Sequence, residues 1–164
     1  MKKILLSVVA AMCASICLAA TGAGMKAIDA KDKAAIEARV NEFIAAWNVH
    51  DAKAMAATFA ENGDLINPFG KSPSGRAEIE KLFVEEQGGA MKGSTYTLQS
   101  STIREIAPGV ALADWEGTVT GMTGPDGQAV PAFPHHVTTI FVKAGGKWWN
   151  AAGRAYAYLP PPGK

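Results

Sequence analysis

Asn67 stands directly before proline in the run Asp64-Leu65-Ile66-Asn67-Pro68-Phe69-Gly70. Its amide offers one carbonyl acceptor and one NH2 donor group, enough to orient a ligand. The same amide can instead satisfy the backbone of the turn that Pro68 begins, and both readings stand. Asp64 follows Asn62-Gly63 and reads as a turn residue before it reads as an acid catalyst. His135 and His136 are neighbours, and neighbours on a strand point to opposite faces, so the two do not share one metal ion. One of them can face a pocket while the other faces water, and His136 is the pocket candidate. His50 lies at a helix junction, and no zinc spacing is present. No metal site is expected.

The run from Trp148 to Tyr158 carries the densest set of interacting groups. By two-residue alternation Trp148, Asn150, Ala152, Arg154, Tyr156 and Tyr158 share one face. Arg154 on that face can hold a carboxylate or an oxyanion, with Tyr156 as a neighbouring donor. The competing reading has these aromatics covering a dimer interface while Arg154 lies over them. Asp114, Glu116 and Thr118 alternate with Ala113, Trp115 and Val119, the pattern of a sheet with one wet face. Asp114 becomes a base or ligand contact if its face lines a pocket. Arg76 reads as an ion-pair partner for a nearby acid. The chain has no nucleophile elbow, phosphate loop or dinucleotide fingerprint, and no cofactor is expected.

The elements that must position these groups fall in a simple order. Ile36, Val40, Phe43, Ile44 and Trp47 recur at spacings of three and four, predicting a helix. Asp51 caps a second helix holding Met55 and Phe59, and Ile79, Leu82 and Phe83 mark a third. Segments 95–106, 110–121, 135–144 and 147–158 are rich in β-formers and separated by Pro-Gly, Gly-Pro-Asp-Gly and Gly-Gly turns. Helices first and a strand meander last predict an α+β fold, a curved antiparallel sheet packed on three N-terminal helices. Trp47, Phe43, Phe59, Leu82 and Phe83 are the expected helix-side core.

Three stretches in sequence, Phe43 to Asp51, Phe59 to Gly70 and Gly75 to Ile79, resemble the SnoaL-like and ketosteroid-isomerase-like members of the nuclear-transport-factor-two-like superfamily. The resemblance spans roughly residues 29–158 and implies a cone-shaped sheet enclosing a pocket. It implies a carboxylate base at the position of Asn67 and an enolate-stabilising tyrosine at that of Phe43. This chain has an amide and a phenyl ring there, which neither accept a proton from carbon nor donate to an oxyanion. Measurable 3-ketosteroid isomerase activity is therefore not expected, and no catalytic residue is assigned. Relatives also pair through the sheet, which implies a homodimer.

Bulk properties narrow the setting. Lys2 and Lys3, the apolar run from Ile4 and the small residues of Cys17-Leu18-Ala19-Ala20 form a secretory signal over residues 1–20, cleaved near Ala19 or Ala20. The expected location is periplasmic or secreted, with no stable membrane anchor. Cleavage takes two of the 16 basic residues, leaving 14 against 15 acidic ones, so the product carries net charge −1. Such a balance excludes a nucleic-acid footprint. Both cysteines leave with the signal, so no disulfide supports the fold. A flexible leader (21–29), one cone domain (30–158) and a Pro-rich tail (159–164) complete the layout. The expected function is binding of a small, largely apolar molecule, with isomerase, hydrolase or cyclase chemistry open. The alternative is a non-catalytic ligand-binding or dimeric accessory and assembly domain. Pocket candidates are Asn67, His136, Arg154, Tyr156, Asp114, Phe43 and Trp47. An enzyme should bring two ionisable groups into one cavity, whereas a binding module should show mainly apolar walls.

Overall fold

The computed structural model describes residues 27–124 and 126–156 of the 164. The signal (1–20), most of the leader and the Pro-rich tail lie outside the described residues, as does Tyr158. The three helices are α1 (Ala30–Asn48), α2 (Ala52–Ala56) and α3 (Arg76–Gly88). Strand β1 (Phe59–Ile66) sits between α2 and α3, and β2 (Thr95–Ala107), β3 (Val110–Thr120), β4 (Phe133–Ala144) and β5 (Lys147–Tyr156) follow. The fold is α+β, with the helices on one face of a curved, unclosed five-stranded sheet.

Sheet order is β1-β5-β4-β3-β2. The meander pairs antiparallel throughout, but β1 joins β5 in parallel, with Leu65 opposite Gly153 and Ile66 opposite Arg154. The meander is antiparallel as expected, while β1 can pair in parallel with β5 because the α3 crossover and the meander intervene between the two strands. Gly145 and Gly146, at φ 58° and 74°, close the β4–β5 hairpin in a left-handed conformation open to glycine at little cost.

Local chemistry explains the helix ends. Asp29 caps α1 by accepting from the backbone N–H of Lys31 at 2.9 Å, so the last leader residue belongs to the helix terminus. Asp51 caps α2 through Ala54 N–H, also at 2.9 Å. Arg76 opens α3 and reaches back to β1, donating to the Phe59 carbonyl from Nε and to Glu61 Oε1 from Nη1. Trp47, Phe59, Leu82 and Phe83 are buried where helices meet sheet, and Phe43 is half-buried beside them.

One residue decides which way β5 faces. Phe141 pairs Asn150 whereas Ile140 pairs Ala152, so Ala151 is an extra residue, a β-bulge. Before it, Trp148 and Asn150 point inward; after it, Gly153 and Ala155 do, and Ala152, Arg154 and Tyr156 turn outward. The uninterrupted alternation expected for this strand is therefore corrected. Arg154 and Tyr156 do not share a face with Trp148 and Asn150.

Candidate functional site

The concave side of the sheet and the three helices enclose a cavity. Its empty volume is about 480 Å³, mouth included, of which the centre of a water-sized sphere reaches only about 40 Å³. That inner space suits a few waters or one small flat group. Phe43, Trp47, Phe59, Phe83 and Trp115 give the wall its aromatic part. Their rings meet at tilted and edge-to-face angles, with Phe43 5.7 Å from both Phe83 and Trp115. The indole N–H groups are engaged elsewhere: Trp47 donates to Ser94 Oγ at 3.0 Å and Trp115 to Thr139 Oγ1 at 3.1 Å. The wall is therefore apolar in function as well as in composition.

Four polar side chains interrupt it: Asn67, Glu86, His135 and Asn150. Asn67 Oδ1 accepts from the backbone N–H groups of Phe69 (3.1 Å) and Lys71 (2.7 Å), so the amide does hold the turn. The other end of the same amide faces the cavity, and Nδ2 donates to Glu86 Oε1 at 2.6 Å. Burial raises the Glu86 carboxyl above the ordinary carboxylate range, partly offset by the Asn67 hydrogen bond and the charge of Lys71.

His135 lies 5.5 Å from the Tyr96 ring and 6.1 Å from Trp47. Burial, with a smaller contribution from His136, lowers its pKa to about 4, so the imidazole is neutral at neutral pH. Tyr96 OH donates to the His135 carbonyl, and burial raises that phenol well above its usual value. Gly117 makes room for the Tyr96 ring, since a Cβ there would stand 2.2 Å from it. Among the described residues, His135 Nδ1 and Asn150 Oδ1 are buried without a hydrogen-bond partner. A buried unsatisfied polar atom costs about 1–3 kcal/mol, so the site carries an unmet demand for two hydrogen bonds.

The sequence candidates divide between the two faces. Phe43, Trp47 and Asn67 line the cavity. Asp114, His136, Arg154 and Tyr156 lie on the outer face in an ionic cluster. His136 Nδ1 is 2.8 Å from Glu116 Oε1, Thr138 donates to Asp114 at 2.6 Å, Arg154 pairs with Asp64, and the Tyr156 ring stacks 4.7 Å from His136. Glu86 escaped the sequence reading, although it falls three and four residues after Phe83 and Leu82 on the buried face of its helix. His135 shares strand parity with Val137 and Phe141, both buried, and that signal favours it over His136 for the interior.

A cone with an aromatic cavity between three helices and a curved sheet defines the class, the nuclear-transport-factor-two-like fold. Within it the SnoaL-like domain matches residues 40–151, and this chain belongs to that family. An uncharacterised cystatin-like-fold protein from Caulobacter vibrioides superposes with a TM-score of 0.73 at 26% identity, over 79% of this chain and 92% of that one. A candidate aromatic ring hydroxylase from Novosphingobium aromaticivorans gives 0.71 at 17% identity, over 81% and 93%. A candidate scytalone dehydratase from the same organism gives 0.67 at 15%, over 79% and 85%. These last two show a shared fold. No curated protein matches the chain.

Proposed function

We propose that this chain is an exported pocket domain that binds one small, uncharged, largely apolar ring compound and performs acid–base chemistry on it. The observation that carries the reading is the pair of buried, unpartnered polar atoms, His135 Nδ1 and Asn150 Oδ1, in an otherwise aromatic cavity. Apolar walls with a few fixed polar groups are how small-molecule sites combine affinity with orientation. Among the described residues the lining holds no cationic side chain, which favours an uncharged ligand over an anionic one. Two ionisable groups, Glu86 and His135, line the one cavity, which favours an enzyme over a passive carrier.

Trp47 and Trp115 in the wall make their fluorescence a direct report of occupancy. Titration with 2-indanone and 2-naphthol should give saturable quenching that His135→Phe and Asn150→Leu weaken. Unsaturable quenching, or quenching indifferent to both substitutions, rejects the reading. Export is tested by N-terminal sequencing of periplasmic protein, where an intact Met1 rejects cleavage. Pairing of two copies through the outer face of the sheet belongs to the same proposal. Half-exposed Tyr156 and its ionic neighbours support it, and sedimentation showing a monomer at high concentration rejects it.

A further inference from the structure

The cavity sets electron-rich rings beside oxygen acceptors. Phe43 meets Phe59, Phe83 and Trp115 edge to face, with ring centroids 6.4, 5.7 and 5.7 Å apart. The faces of such rings carry negative charge density and attract a cation placed over them. Glu86 is the only carboxyl group among the described residues that line the cavity, and burial makes its ion costly. Its Oε1 accepts from Asn67, and among the described residues nothing donates to Oε2. Asn150 Oδ1 is a second oxygen, buried without a partner. The described lining holds neither lysine nor arginine, so the wall supplies these acceptors with no positive charge of its own.

We propose that the ligands of this cavity are flat aromatic nitrogen bases, neutral in water and held inside as cations by the Glu86 carboxylate and the surrounding rings. The proposal rests on the pocket reading above and names the ligand class of that same site. The base enters uncharged, with one lone pair in the plane of its ring. Where Glu86 is a carboxylic acid, its O–H bond breaks and an N–H bond forms at the ring nitrogen. The O–H electron pair stays on the carboxylate, which then accepts a charge-assisted hydrogen bond from the new N–H. Where Glu86 is already ionised, the same pair forms by uptake of one proton from water. The pair is neutral as a whole, so the filled cavity buries no net charge. Because the reacting atom lies in the ring plane, both flat faces of the ligand remain for the aromatic wall. The oxygen of a ketone or an ether is too weak a base to take this proton.

Isoquinoline is the probe, since its neutral and cationic forms absorb differently at wavelengths beyond the tryptophan band. At neutral pH it is uncharged in water, and bound to the intact protein it should show the spectrum of the cation. A bound spectrum of the neutral form overturns the assignment. Affinity should pass through a maximum with pH. It falls on the acid side as isoquinoline is protonated in water while Glu86 is neutral, and on the alkaline side as Glu86 ionises. The groups facing Glu86 are Asn67 and Lys71, which favour its ion, and Glu85, which opposes it; His135, its pKa lowered to about 4, adds no charge at neutral pH. An affinity that does not fall on the acid side overturns the assignment as well. Glu86→Gln keeps the side-chain shape and should weaken isoquinoline relative to 2-naphthol by about 10–100-fold, the range for a hydrogen bond to a charged group. An unchanged ratio of the two affinities overturns the assignment. Should Glu86→Gln not fold, the spectrum of isoquinoline on the intact protein decides. Binding of 2-naphthol with exclusion of isoquinoline overturns the assignment alone, whereas exclusion of both overturns the pocket reading with it.

Discussion

Strands β3, β4 and β5 present two chemistries back to back. Inward, Ala113, Trp115, Val137 and Phe141 are buried, and the polar exceptions His135 and Asn150 each keep one buried atom without a hydrogen-bond partner. Outward, Asp114, Glu116, His136, Arg154 and Tyr156 gather in an ionic cluster. The same backbone carries both, so the difference comes from alternation, and at β5 from the single extra residue Ala151. Adjacent residues of one type thereby acquire different chemistry. His135 is neutral among aromatic rings, while His136 lies between two carboxylates.

Deleting Ala151 is the harshest way to break this contrast. It would drive Arg154 and Tyr156 into the aromatic cavity and expel Gly153 and Ala155. Loss of cooperative unfolding and of near-ultraviolet dichroism is expected; a folded variant with cavity binding intact would refute the bulge assignment. Truncating the inner wall comes next. Trp47→Ala should cost about 3–5 kcal/mol in chemical denaturation, as large-to-small core changes do. A loss well under 1 kcal/mol would place Trp47 outside the core.

The two inner ionisable groups should respond to pH with opposite sign. His135 has a folded pKa of about 4, below its ordinary 6.5, so the unfolded chain binds more protons between these values. Its contribution is present above pH 6.5 and is lost as pH falls toward 4, on the order of 3 kcal/mol in all. Denaturation curves of His135→Phe should lack that slope. Glu86 is raised, so its contribution is present below its unfolded pKa and lost as pH rises through the folded one. Glu86→Gln should remove this second slope. The outer face should yield the smallest effect. Asp64 and Arg154 are each more than 40% exposed, and Arg154→Ala should change stability by less than about 1 kcal/mol. A larger loss at dilution, absent in a Tyr156→Glu background, would mean that the outer face is buried in a dimer.

How far the sequence could be read follows the same division. Periodicity placed the helix-side core and Asp51 caps α2 as expected, whereas Asp29, assigned to the leader, caps α1. Alternation put Asp114 and Glu116 on a shared face in β3, because that strand runs without interruption past its partner β4. It failed in β5, because a bulge depends on a partner strand and leaves no mark in Asn150-Ala151-Ala152. Glu86 was hidden for a related reason: a glutamate at a helix end reads as solvated until the cavity beneath it is known. Of the two readings of Asn67 the structure shows the turn, with Oδ1 accepting from the N–H groups of Phe69 and Lys71, while Nδ2 donates to Glu86.

The parallel pairing of β1 with β5 has a practical consequence. Because these strands advance together, the chain passes Arg154 beside Ile66 and leaves Tyr156 on the Asn67 side of the cavity. The start of α1 lies at the opposite end of the sheet, where Asp32 meets Lys143 and Trp148. A fluorophore, affinity tag or surface tether attached ahead of Asp29 is therefore held away from the Asn67–Glu86 pair, whereas one joined beyond Tyr156 starts next to it. Immobilised-ligand measurements on this protein should be anchored ahead of Asp29, and a fusion partner joined beyond Tyr156 supplies a steric probe of which end of the cone admits the ligand.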